Sequence, residues 1–129
     1  MASSYKPEGY NSISPYFVVE NAQLMINFLD QIFNIDELRR YENAEGKIVH
    51  AEVKIDDSVI MLADANEQFP PNQLLIHVYV ADVDATFKKA IAAGCIELGK
   101  PQSREGDPDK RGSFKDIFGN FWSVSTQMG

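Results

Sequence analysis

His50 and Glu52 stand two residues apart, a spacing that in a strand turns both side chains to one face. A carboxylate beside an imidazole favours the imidazolium and orients the ring, which is how a general base and its partner are arranged. The pair is the catalytic candidate of the chain; an exposed or cross-strand-paired duo is the plainer alternative. His77, set among aliphatic neighbours, reads as a hydrogen-bonded wall residue that touches a ligand rather than as a catalyst. With only two histidines in the chain, a metal held by His50, Glu52 and His77 would be an unusual site. Cys95 has no basic residue nearby in sequence to lower its pKa and reads as a buried structural thiol. Gly94 to Lys100 spells GxxxxGK, but Pro101 follows where a phosphate loop needs Ser or Thr, and a helix precedes it where a strand should.

These side chains need elements to hold them. Asn21 is a good N-cap for an amphipathic helix whose stripe, Met25, Phe28, Leu29 and Ile32, stops at Asn34. Asp82 caps a second helix, with Val83, Phe87, Ala90 and Ile91 on its stripe and Gly94 at its end. A β-rich segment precedes each helix, Ser14 to Val19 and Leu75 to Val80, and the halves repeat at an offset of 61 positions. Strand-like runs follow: Arg39 to Asn43, Ile48 to Ile55 and Ser58 to Ala63 in the first half, Cys95 to Leu98, Gly112 to Lys115 and Phe121 to Thr126 in the second. Each half is β-α-β-β-β, and Phe69-Pro70-Pro71-Asn72 separates them. Module one covers about 10–69 and module two about 73–127 of a single domain, residues 1–129, because neither half closes a good core alone. Gly99 to Lys110 reads as a long mobile loop, with Arg104, Lys110 and Arg111 flanking a pocket mouth.

Alternation then assigns faces. Phe17 and Val19, Ile76, Val78 and Val80, and the set Val49, Ala51, Val53 and Ile55 belong under the helices, and Trp122 reads as core. The opposite faces carry Ser14, Tyr16 and Val18, then Leu75, His77 and Tyr79, and also His50, Glu52 and Lys54; Tyr16 and His77 are repeat-equivalent. Tyr16, Tyr79 and Phe121 share that phase and can stack on a planar or cationic ligand. If the sheet curls, these faces line a concavity suited to a small molecule.

Composition bounds the partners. The chain has 129 residues, 19 acidic against 12 basic, and a net charge of −7, the wrong sign for nucleic acid or an anionic membrane. A neutral or cationic small organic ligand fits this balance better. One cysteine makes no intrachain disulfide, no run is long and apolar enough for a membrane span, and the first residues, MASSYKPEGYNS, lack the apolar core of a secretory signal. The expected location is the cytoplasm.

The duplication, the segment VADVDATFKKAIAAG from Val80 to Gly94 and the run RGSFKDIFGNFW from Arg111 to Trp122 resemble the glyoxalase/bleomycin-resistance/dioxygenase (vicinal oxygen chelate) superfamily. Within it, GKIVHAEVKIDDSVIMLAD from Gly46 to Asp64 is similar to the PhnB-like branch. The resemblance implies an α+β fold of two βαβββ modules forming a curved, cup-like mixed sheet with helices outside, completed in a homodimer. Its metal-dependent members hold a divalent ion through four His, Glu or Gln side chains. The corresponding positions here fall near Ser14, Met61, Leu75 and Ser123, and Ile117 replaces the proline of the usual D-P-F-G-N turn. None of the four is a strong divalent-metal ligand.

The expectation is therefore a small-molecule-binding protein without the superfamily metal or any other cofactor, as in the drug-sequestering members. Its ligand-binding set is Tyr16, His50, Glu52, Met61, His77, Tyr79, Phe121 and Ser123. The alternative is a lyase, isomerase or dioxygenase using zinc, iron, manganese or nickel at a non-standard site of His50, Glu52 and His77, or a metal-free acid–base catalyst using His50. A third reading is a dimer whose cup is packed shut by Tyr16, Met61, Leu75 and Phe121.

Overall fold

The computed structural model describes residues 5–129; the first four, part of the N-terminal stretch read above for a leader, lie outside the described residues. The chain divides into two compact units, one running up to Asn72 and the other from Gln73 to Gly129. Unit one contains β1 (Tyr16–Val19), α1 (Ala22–Phe33), β2 (Asp36–Glu42), β3 (Ile48–Ile55) and β4 (Ser58–Asp64). Unit two repeats the order with β5 (Leu75–Tyr79), α2 (Val83–Ala92), β6 (Ile96–Gln102), β7 (Asp109–Lys115) and β8 (Phe121–Gln127). Each unit is a four-stranded mixed sheet with one helix, in the orders β1-β4-β3-β2 and β5-β8-β7-β6. The α+β, two-module βαβββ architecture is thus present. No helix among the described residues is long and apolar enough to cross a membrane.

The helices begin where their caps dictate. The Asn21 side chain accepts the Leu24 amide at 3.0 Å and the Asp82 side chain that of Ala85 at 3.1 Å, each satisfying an amide the helix cannot. Asn34 ends α1 in the left-handed region at φ 59°, and Gly94 follows α2 at φ 99°. A second repeat-related tie fixes each helix to its sheet. Asp64, at the end of β4, accepts the Ala22 amide at 2.8 Å, and Thr126, near the end of β8, accepts the Val83 amide at 2.9 Å.

Under α1 lie Phe17, Val19, Ala51, Val53 and Leu62, all buried against Met25, Phe28, Leu29 and Ile32 as the alternation requires. One residue breaks the pattern. The β2–β3 register steps from Tyr41↔His50 to Glu42↔Ile48, leaving Val49 as an extra residue in a β-bulge. The bulge buries Ile48 and turns Val49 out, 50% exposed, so Val49 does not join the buried face expected of it. In unit two α2 packs on β6, β7 and β8. Ile76, Val78 and Val80, expected under the helix, are only half-buried, unlike Phe17 and Val19 on the equivalent edge strand β1.

The segment expected as a loop from Gly99 to Lys110 is half strand. β6 continues to Gln102 and β7 begins at Asp109, so the connection is residues 103–108. Pro101 is tolerated because β6 is an edge strand whose pairing with β7 is interrupted on both sides of Gly99. At the edge of unit one's sheet, Asn72 takes the place of a strand: its side chain accepts the Val18 amide and donates to the Tyr16 carbonyl, both at 2.9 Å.

The β7–β8 turn is built around a buried carboxylate. Asp116 accepts the Phe118 and Asn120 amides at 2.8 and 2.9 Å, the Asn120 side chain at 3.1 Å and the indole N–H of Trp122 at 2.9 Å. Asn120 in turn accepts the Leu74 amide at 2.8 Å, which ties the start of β5 to the turn. Trp122 is core, as expected, stacked on Phe114. Asp116→Ala leaves these donors buried without an acceptor and is expected to destabilise the protein by about 3 kcal/mol, read from denaturant midpoints. A loss below about 1 kcal/mol, within the range of a single ordinary hydrogen bond, would contradict the role given to this turn.

Candidate functional site

Register sets the unit-one site. Tyr16 on β1 pairs with Met61 on β4, Met61 with Glu52 on β3, and Glu52 with Arg39 on β2, so one row crosses the sheet. His50 is two residues from Glu52 on the same face, and the two are joined by a 2.8 Å contact from His50 Nε2 to Glu52 Oε2. His50 Nδ1 lies 2.8 Å from the Tyr16 hydroxyl. Tyr10, from the segment before β1, donates its hydroxyl to Glu52 Oε1. Arg39 adds a looser ion pair to the same oxygen at 3.7 Å, and its guanidinium sits over the Tyr10 ring. Tyr41 stacks on the outer side of His50. The result is one hydrogen-bonded chain, Tyr10–Glu52–His50–Tyr16.

Glu52 is only 4% exposed. Burial pushes its carboxyl upward, but hydrogen bonds from Tyr10 and His50, with the charges of His50 and Arg39, outweigh that and hold it below the ordinary glutamate value. The carboxylate is therefore ionised and only accepts, so His50 Nε2 carries a proton. In the neutral ring Nδ1 is then the bare nitrogen and receives the Tyr16 hydroxyl proton in a hydrogen bond. Burial and the Glu52 charge both push the Tyr16 phenol up, which keeps that proton on. The hydrogen bond to Glu52, then burial, does the same for Tyr10.

Tyr16 also borders a cavity of about 600 Å³ whose walls include Val18, Val49, Ala63 and Phe69, with Asn66 and Asn72 at polar points. The volume lies within the range of small-molecule sites. The β-bulge supplies Val49 to it, and Asn66, whose side chain accepts the Gln68 and Phe69 amides, shapes the loop that brings Phe69.

Unit two uses the equivalent row differently. His77 pairs with Ser123, Ser123 with Ser113, and Ser113 with Gly99. His77 Nδ1 lies 3.0 Å from Ser123 Oγ, and the His77 ring meets Tyr79 edge-on at 4.8 Å. Burial, then the Arg111 charge, pulls the His77 pKa below its usual value, with Asp109 opposing. The Tyr79 hydroxyl donates to Asp109 at 2.7 Å, and Phe121 lies 43% exposed beneath the Lys115 ammonium. Ser125, paired with Tyr79 and Arg111, has a buried hydroxyl with no hydrogen-bond partner among the described residues. Cys95 is buried, and burial, then Asp116, pushes its thiol up to about 12, which suits an inert structural thiol.

The structure thus joins Tyr16, His50 and Glu52 in unit one, with Met61 in their row, and joins His77 to Ser123, with Tyr79 beside them, in unit two. Of the basic residues expected at a pocket mouth, Arg104 and Arg111 line a unit-two pocket, whereas Lys110 is drawn to Asp84 at 2.7 Å. Tyr10, Arg39, Val49, Asn66, Phe69 and Asn72 were not legible as site residues in the sequence, the most consequential being Tyr10 and Val49. The aromatic-and-glycine pair Gly9-Tyr10 lies outside the repeat, and in β3 the only trace of the bulge is the adjacent apolar pair Ile48-Val49 at the head of an otherwise alternating run.

Residues 11–124 match the model of the Glyoxalase/Bleomycin resistance protein/Dioxygenase superfamily, and the chain belongs to that superfamily. An uncharacterized protein of Mycobacterium bovis is 32% identical over 124 residues, spanning 88% of this chain and 81% of its own. Among solved structures, TioX from Micromonospora sp. ML1 superposes with a TM-score of 0.76 at 20% identity, covering 91% of this chain and 98% of that one. The PhnB protein from Bacillus cereus gives 0.69 at 20% identity over 90% and 99%, so PhnB-like proteins are among the neighbours. TnmS3, an antibiotic binding protein from Streptomyces sp. CB03234, gives 0.65 at 20% identity over 91% and 97%.

The superfamily implies a divalent metal, and the donor chemistry here does not fit it. Ser14, Met61, Leu75 and Ser123 offer hydroxyls, a thioether and a hydrocarbon, and Ser123 is already engaged with His77. Both ring nitrogens of His50 and both oxygens of Glu52 are taken by protein partners. Among the described residues no group of three or more His, Cys, Asp or Glu side chains could hold a metal ion.

The depressed Glu52 pKa makes a pH prediction with a definite sign. The unfolded chain takes up this proton at higher pH than the folded one, so the stabilisation is full above the ordinary value of 4.5 and is lost as pH falls through the lower folded value. Glu52→Gln is expected to lower stability at neutral pH and to flatten that acid limb, measured by urea midpoints across the acid range. An acid limb as steep in the variant as in the wild type would contradict it.

Proposed function

We propose that this chain binds a small organic molecule on the sheet face of unit one, without a catalytic metal, as a cytoplasmic homodimer. The observation that carries the reading is the meeting, at Tyr16, of an apolar cavity with a preset polar chain. Val18, Val49 and Phe69 take the apolar or aromatic body of the ligand, the Tyr16 ring stacks on it, and the Tyr16 hydroxyl offers a polar anchor. Because His50 and Glu52 already hold Tyr16 in place, little ordering remains for binding to impose. The antibiotic-binding role in the name of TnmS3 supports this ligand class. Exposed Leu75, Tyr79 and Phe121 give a second copy apolar surface to cover.

The carboxylate–imidazole–phenol chain favours one second reading, an acid–base enzyme in which Tyr16 exchanges a proton with substrate while His50 Nδ1 takes up or returns it. Two measurements separate these readings from each other and from a metalloenzyme. Protein purified without chelator is expected to carry zinc, iron, manganese and nickel far below one per chain; one tightly held ion per chain, lost in His50→Ala, would overturn the metal-free reading. Thermal-shift screening of aromatic natural products, bleomycin included, is expected to find compounds recovered unchanged after incubation, whose affinity falls about tenfold in Tyr16→Ala. A compound converted only when Tyr16 and His50 are intact would establish the enzyme, and the absence of any binder would count against both.

A further inference from the structure

Unit two carries a second concavity, of about 210 Å³, on the face of β6, β7 and β8. Its lining is unlike the rest of this acidic chain. Lys100, Arg104 and Arg111 supply three cations against the single carboxylate of Asp107, and Ser113 and Ser123 add hydroxyls at its floor. A local excess of positive charge in a chain of net charge −7 costs self-repulsion unless something anionic answers it. Arg111 is partly answered by Asp107 at 3.2 Å and Asp109 at 3.4 Å, and the Arg104 charge also acts on Asp107, but neither Lys100 nor Arg104 comes within ion-pair distance of a carboxylate among the described residues. The floor is equally specific. Gly99 pairs with Ser113, and a Cβ at position 99 would lie 3.3 Å from Ser113 Oγ, so the glycine keeps that hydroxyl uncrowded.

We infer that this pocket is an oxyanion site that takes a phosphoryl-like anionic group of a small molecule, held by Lys100, Arg104 and Arg111 and by the hydroxyls of Ser113 and Ser123. With Asp109 counted beside Asp107, the cluster is one charge positive, which favours an anion, and charge-assisted hydrogen bonds from guanidinium, ammonium and hydroxyl groups are the strong contacts for it. Binding also sets the His77 tautomer. Ser123 has one proton, and giving it to the anion requires that His77 Nδ1–H donate to Ser123 Oγ across their 3.0 Å contact. The site stands apart from the unit-one reading, since none of its residues belongs to the Tyr16 chain or its cavity.

The probe is inorganic phosphate, titrated against chloride at matched ionic strength and followed by amide and imidazole NMR on the full chain. Saturable shifts at Gly99, Ser113 and Ser123, with His77 moving to the Nδ1–H tautomer, are expected. Lys100→Gln combined with Arg104→Gln should weaken phosphate binding by about tenfold or more. Gly99→Ala, which alters no charge and needs no left-handed backbone, should weaken it through crowding at Ser113, while Lys47→Gln in unit one should leave it unchanged. Shifts that never saturate, or saturable binding that survives both the double variant and Gly99→Ala, would overturn the inference. Loss of phosphate binding in these variants leaves organic-ligand binding at Tyr16 intact, so the two readings fail separately.

Discussion

A carboxylate taken almost wholly out of water, at Glu52, is the constraint around which unit one is arranged. Desolvating such a charge is costly unless each oxygen finds a donor. The donors come from three directions: Tyr10 from the segment before β1, His50 from β3 itself and Arg39 from β2. Satisfying Glu52 therefore fixes where the N-terminal segment crosses the sheet and how the His50 ring is turned. It also fixes Tyr16, because the remaining nitrogen of that ring faces the Tyr16 hydroxyl. The cavity beside Tyr16 inherits its polar anchor from a buried charge several ångströms away.

Duplication supplied two copies of this frame and divergence gave them different chemistry. The row Tyr16–Met61–Glu52–Arg39 corresponds, strand by strand, to His77–Ser123–Ser113–Gly99. Where unit one has a carboxylate and a guanidinium facing each other, unit two has a hydroxyl beside a glycine and draws its charge from Lys100, Arg104 and Arg111. The backbone ties are kept, as the matched roles of Asp64 and Thr126 at the helix starts demonstrate. Fold and chemistry have separated, as expected where function resides in side chains grafted on a stable frame.

Much of this was legible in the residues. Asn21, Asp82 and Gly94 mark helix ends through local hydrogen bonding and backbone freedom, and local rules act without knowledge of the rest of the chain. The His50 and Glu52 spacing put both on one face, and the repeat made Tyr16 and His77 equivalent positions. What was hidden depends on distant partners. Tyr10 reaches Glu52 across 42 positions, and nothing near either residue signals the contact. Val49 changes face because β3 has one residue more than β2 can pair, a property of two strands together. Glu52 on a polar face reads as solvated until Tyr10 and Arg39 cover it. The reach of β6 past Pro101 is likewise decided by its place at the sheet edge.

Ionised Glu52 holds His50 with its proton on Nε2 and Nδ1 open to Tyr16, and the polar anchor of the unit-one site depends on it. Long-range nitrogen–proton NMR of the imidazoles reads that proton directly. The Nε2–H tautomer is expected in the wild-type protein, with loss of the preference in Glu52→Gln and retention of it in Tyr16→Phe. A wild-type ring with its proton on Nδ1 would contradict it.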